Sequence, residues 1–186
     1  MKKYLLVICV LLVGRAHSQT KLLCLENVDP ADNLKSTSYY QTYIGAFDFI
    51  ISLRSFTNWG SGNTTAYAYN KIGWHKMEIN TSRFFHDSSK SEVLIYMITR
   101  KRGESLFQIF KENHLFDMQD ERTKKSPCDS FVLFDGLEYE FEIITKDQYK
   151  KVYFYAPEEY NKNCPNVIER NWIINCLKAF ERDAAN

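Results

Sequence analysis

Hydrophobic and polar positions alternate along much of this chain, and the alternation marks strands. Between Phe47 and Phe56, Phe47, Phe49, Ile51 and Leu53 share one parity while Asp48, Ser52 and Arg54 share the other, the pattern of a half-buried strand. The turn formers of Thr57–Thr65 end it. A second strand is expected from Ala66 to Ile79, with Gly73 inside it as a bulge or bend. Val93–Thr99 is apolar on both parities and reads as a strand buried on both faces.

The segment after it admits two readings. Arg100-Lys101-Arg102-Gly103-Glu104 makes a hairpin tip with Ser105–Lys111 as the returning strand, or Ser105 caps a short helix with Gln108 three residues on. The hairpin is the preferred reading, because Phe and Ile dominate the segment. Further on, Phe131–Phe134, an Asp135-Gly136 turn and Leu137–Thr145 read as two strands, and Tyr149–Ala156 returns until Pro157 stops it. Glu138, Glu140 and Glu142 share one parity of the second of these strands and form a solvated row. Lys150 and Lys151 are placed to balance it from the next strand.

One helix closes the pattern. Ile168, Trp172, Ile173, Cys176, Leu177 and Phe180 recur at intervals of three and four, with Asn166 as N-cap and Glu169 reaching back to it. Strands joined by short hairpins favour antiparallel order. The expected fold is α+β and mainly antiparallel β: six or seven strands, sandwich- or barrel-like, with one C-terminal α-helix.

The start of the chain is patterned differently. Lys2 and Lys3 precede about ten nearly unbroken apolar residues, Tyr4–Val13, and Ala16-His17-Ser18 supplies a small-x-small cleavage signal. Residues 1–18 are therefore expected to be a signal peptide cut after Ser18, with 19–186 a single globular domain, secreted or periplasmic. No second long apolar run follows, so no membrane insertion is expected after cleavage. Losing Lys2, Lys3 and Arg15 leaves 21 of the 24 basic residues against 23 acidic ones. That near-balance offers no general attraction to nucleic acid.

Export changes the reading of the cysteines. Cys24, Cys128, Cys164 and Cys176 remain after cleavage, an even number in an oxidising place, so disulfides are expected, with a lean to Cys164–Cys176 and Cys24–Cys128. No close Cys-x-x-Cys pair supports a zinc or redox site.

Few motifs carry chemistry. There is no phosphate loop, no Gly-x-Ser-x-Gly elbow and no His-Glu-x-x-His, and no cofactor or metal is called for. His75 and Glu78, His86 and Asp87, and His114 are weak candidates, since strand residues three apart face opposite ways. Asn63-Thr64-Thr65 and Asn80-Thr81-Ser82 are glycosylation sequons. Aromatics make up 15% of the chain, and four of them cluster: Trp59 in a Gly/Ser/Asn loop, Tyr67 and Tyr69 on the next strand, and Trp74 after Gly73. Loop-borne Trp and Tyr anchor protein partners or stack on sugars, so these four are the candidate binding residues.

The leading functional expectation is an exported, non-catalytic binding protein with a protein or glycan partner. A carrier of small apolar ligands is the alternative, its barrel closed around a pocket lined by Phe49, Ile51, Tyr139 and Phe141. An exported hydrolase without a recognisable motif is the third.

Overall fold

The computed structural model describes residues 45–57, 62–81, 92–123, 133–146, 148–165 and 167–184. In these residues six antiparallel strands form one open sheet: β1 (Phe49–Phe56), β2 (Gly62–Asn70), β3 (Gly73–Thr81), β4 (Glu92–Met97), β5 (Glu138–Thr145) and β6 (Tyr149–Tyr155), in the spatial order β4-β3-β2-β1-β5-β6. Among the described residues, three helices accompany it: α1 (Arg100–Glu112), α2 (Pro157–Asn163) and α3 (Ile168–Ala184). A 3-10 turn spans Glu121–Thr123. The mainly antiparallel fold is as expected; the single helix and the closed barrel are not.

Register sorts the side chains by face. Phe49 sits opposite Tyr69 and Ile51 opposite Tyr67 on β2, while Ile51 also pairs with Ile143 and Leu53 with Phe141 on β5. These residues, with Trp74, Val152 and Phe154, form one face, and α1 and α3 cover it with Leu106, Phe110, Ile173, Cys176, Leu177 and Phe180. The expected barrel lining of Phe49, Ile51 and Phe141 is therefore solid helix–sheet core, with Tyr139 packed at its edge. On the back face a second cluster gathers Phe47, Ile50, Ala66, Ala68, Met77, Ile144 and Tyr149.

Several segments differ from expectation for identifiable reasons. The supposed long strand of 66–79 is a hairpin, because Asn70 folds the chain: its Oδ1 accepts the amides of Ile72 and Gly73 at 2.9 and 3.2 Å. The preferred hairpin at 100–111 is instead α1. Thr99 caps that helix by accepting the Arg102 amide at 3.3 Å, and its buried positions Gly103, Leu106 and Phe110 recur at helical spacing. A side chain longer than hydrogen does not fit at Gly103, where a Cβ would lie 2.1 Å from Trp74 Cγ. The helix approaches the sheet there by its backbone.

Leu133 and Phe134 are not strand; Phe131 and Val132 of that expected strand lie outside the described residues. Pro157 does stop β6, and it also opens α2 as the first helical residue. The C-terminal helix is where the periodicity puts it, although Ile168 is exposed and Arg170 takes a buried place on it. Its expected cap, Asn166, lies outside the described residues.

The cysteines depart from the expected pairing. Cys176 is a free, buried thiol facing the sheet, so no Cys164–Cys176 bridge exists. Cys164 is disulfide-bonded to a residue outside the described set. Cys24 and Cys128 also lie outside it.

Candidate interaction surface

The aromatic candidates come together, but inside. Tyr67 and Trp74 are 0% and 2% exposed. Tyr67 packs against Phe180 at 4.9 Å between ring centroids. Tyr69, half-buried, lies over Phe49 at 5.8 Å and beside Trp74 at 5.3 Å. Strand alternation explains this: Tyr67, Tyr69 and Trp74 share the face that α1 and α3 cover. An outside partner cannot reach Tyr67 or Trp74 without opening the helix–sheet core, which removes them as docking or sugar-stacking residues. Trp59 lies outside the described residues. The indole Nε1 of Trp74 is buried without a hydrogen-bond partner among the described residues.

The histidines have structural partners. His75 packs edge-on against Phe47 at 5.2 Å, with Nδ1 3.1 Å from the Gly73 carbonyl. Glu78 pairs with Lys76 at 2.9 Å, on the opposite face from His75. His114 meets Asp117 at 3.0 Å and Trp172 at 4.3 Å between rings. His86 and Asp87 lie outside the described residues. Among the described residues, no group of three or more potential ligands is placed to hold a metal ion.

The carboxylate row is a correction of another kind. Glu140 and Glu142 are buried on the back face rather than solvated. Each has a partner that makes burial tolerable: Lys151 reaches Glu140 Oε2 at 2.8 Å, and the Tyr149 hydroxyl donates to Glu142 Oε1 at 2.6 Å. Lys150 does not join them. It lies on the helix face, buried, and donates to the Phe116 carbonyl at 3.1 Å. Burial, with Glu138 nearby, holds the Tyr153 phenol well above its usual range. Desolvation likewise pushes the Cys176 thiol up to about 12, so it is no nucleophile near neutral pH.

The outward-facing chemistry lies at an edge of the sheet. β4 is bonded to β3 alone among the described strands. Four consecutive side chains on it are exposed: Leu94 44%, Ile95 43%, Tyr96 46% and Met97 64%. They project to both sides of the strand, Leu94 and Tyr96 opposite Glu78 and Lys76, and Ile95 and Met97 opposite Met77 and His75. Ile72, in the turn between β2 and β3, is another exposed aliphatic.

Among the described strands, none bonds to the outer side of this edge. The Ile98 amide donates to the Trp74 carbonyl at 3.0 Å. In an antiparallel ladder a residue's N–H and C=O point to the same side and alternate along the strand. Leu94 and Tyr96 therefore turn theirs to β3, while Val93, Ile95 and Met97 turn theirs outward. Proteins usually protect such an edge with Lys, Pro or a bulge, and β4 carries no Lys or Pro. The run that reads in sequence as doubly buried is doubly accessible. The sequence signal was present, but hydropathy does not record where a strand sits in the sheet.

No model of a known protein family matches the chain, and no curated protein does.

Proposed function

We propose that this is an exported, non-catalytic binding protein that engages another protein by taking a strand onto the β4 edge. The observation that carries this reading is the exposure of Leu94, Ile95, Tyr96 and Met97 on a strand with one bonded neighbour among the described strands. Strand addition uses both features at once. Outward amides and carbonyls supply hydrogen bonds, and alternate side chains supply apolar contacts. Contiguous exposed apolar surface on a folded chain marks such sites. Export rests on the Lys2–Ser18 pattern.

The test is a photo-crosslinking amino acid placed at position 95 in the secreting cell, with Glu158 on exposed α2 as the control position. The expected result is a protein adduct from position 95 and none from position 158. No adduct from position 95, with the protein folded and secreted, contradicts the reading.

A further inference from the structure

We infer that Asn63 is an N-glycosylation site, and that the exported protein carries one glycan there and none on Asn80. The inference rests on the reading of residues 1–18 as an export signal and adds a modification to it.

The sequons Asn63-Thr64-Thr65 and Asn80-Thr81-Ser82 both survive signal cleavage. Far apart in the chain, they meet in the sheet. The register of β2 and β3 sets Asn63 directly opposite Asn80, one pair from the end of the ladder. Residues opposed in this way share one face of a sheet. By alternation it is the face of Tyr67 and Trp74.

The helix layer thins out towards this pair. Trp74 and Tyr67 are buried, and Tyr67 packs against Phe180 of α3. Outward along the same face come the side chain of Lys76 at 12% exposure, then that of Glu78 at 46% opposite half-buried Thr65. The Asn63–Asn80 pair is the next one outward. A glycan is bulky and strongly hydrated, and on such a rim it displaces none of the core.

Crowding chooses between the two positions. Asn80 has a ladder neighbour on each side, Asn63 of β2 and Glu92 of β4. Asn63 has one, since β1 pairs with β2 no further than Thr64. Directly opposed residues have Cβ atoms about 4.5–5.5 Å apart. Glycans on both would meet across the ladder and oppose closure of the β2–β3 hairpin. Synthesis from the N-terminus also delivers Asn63 first.

The modification is a simple displacement. Nδ2 of Asn63 attacks C1 of the first sugar of a polyprenyl-diphosphate-linked oligosaccharide. The N–C1 bond forms as the bond from C1 to the diphosphate oxygen breaks. The amide gives up one proton, the polyprenyl diphosphate leaves, and nothing is oxidised or reduced. Thr65 completes the acceptor sequence.

Secretion of the full chain from a cultured animal cell, with intact mass before and after peptide-N-glycosidase, reads the number of glycans. Peptide mapping reads the position, because release converts the modified Asn to Asp. The wild type should lose a single glycan, and the Asp should appear at position 63. Thr65→Ala should abolish modification at Asn63 while Thr65→Ser keeps it, which separates loss of the sequon from loss of the fold. A secreted chain that is bare, that carries its glycan on Asn80 alone, or that carries two overturns the inference. Failure of export shows differently, as a chain held in the cell with residues 1–18 attached, and overturns both readings.

Discussion

Gly103 decides how close α1 comes to the sheet. Its missing side chain lets the helix backbone rest on the Trp74 ring. Ala has the better helix propensity, by about 1 kcal/mol. Overpacking a filled site costs about 1–3 kcal/mol. With Trp74 itself held among Phe49, Tyr69 and Phe107, the steric cost should win. Gly103→Ala is expected to lower stability by roughly 1–2 kcal/mol in urea denaturation, and a stabilised variant would show that the Trp74 contact is not tight. In sequence this glycine reads as a turn signal, because the ring it serves lies 29 positions away.

Cys176 gives a prediction in pH. Its folded pKa is raised by burial, so the folded state keeps the proton where the unfolded thiol loses it. The contribution is fully present below the unfolded thiol value of about 8.5 and is lost as pH rises towards about 12. The gap in stability between wild type and Cys176→Ala should therefore narrow between pH 8 and pH 11, as read by denaturant midpoints. A thiol reagent at neutral pH should label this residue only after unfolding.

At the scale of elements, the Glu121–Arg170 pair ties four pieces together. Glu121, in the 3-10 turn, accepts from Arg170 Nη2 of α3 at 2.9 Å and from the Tyr155 amide of β6 at 3.2 Å. Arg170 also lies over the Tyr160 ring of α2 at 4.8 Å. Arg170 is buried, so removing it leaves Glu121 short of its cation at the β6 edge. Arg170→Ala should cost roughly 3 kcal/mol, with Arg170→Lys recovering only part, since an ammonium cannot reproduce the paired contacts of the guanidinium. A loss below about 0.5 kcal/mol would show that packing rather than this ion pair holds α3.

Elements were legible in sequence where one face meets core and the other does not. The alternation in β1 and β5 and the stripe of α3 report a single buried side, and they came out as strands and helix. α1 did not, because its apolar residues are spread by a half-buried Phe107 and Ile109 around the stripe of Leu106 and Phe110. α2 carries a single buried residue, Pro157, so it has no apolar stripe to read. The row of Glu138, Glu140 and Glu142 had the polarity of a solvated face. Its burial depends on Lys151 and Tyr149 across the ladder, partners that a one-strand pattern cannot supply.

For the whole molecule, strand order is what sequence could not give, and the proposed function rests on it. The same six residues of β4 would be core between two strands, as their hydropathy implied. Placed last in the order β4-β3-β2-β1-β5-β6, they become the sticky edge of an open sheet. The aromatic cluster went the other way. Tyr67 and Trp74, expected to face a partner, became the floor beneath α1 and α3, and the candidate site moved to the edge strand beside them.

Residue-resolved amide hydrogen exchange across β4 tests this account most directly. In dilute protein the amides of Val93, Ile95 and Met97 should exchange fast while those of Leu94 and Tyr96, bonded to β3, exchange slowly. The fast set should become protected when a partner strand binds. Uniform protection of all five amides at every dilution would show the edge already filled within one chain, and would contradict the assignment of β4 as the binding surface.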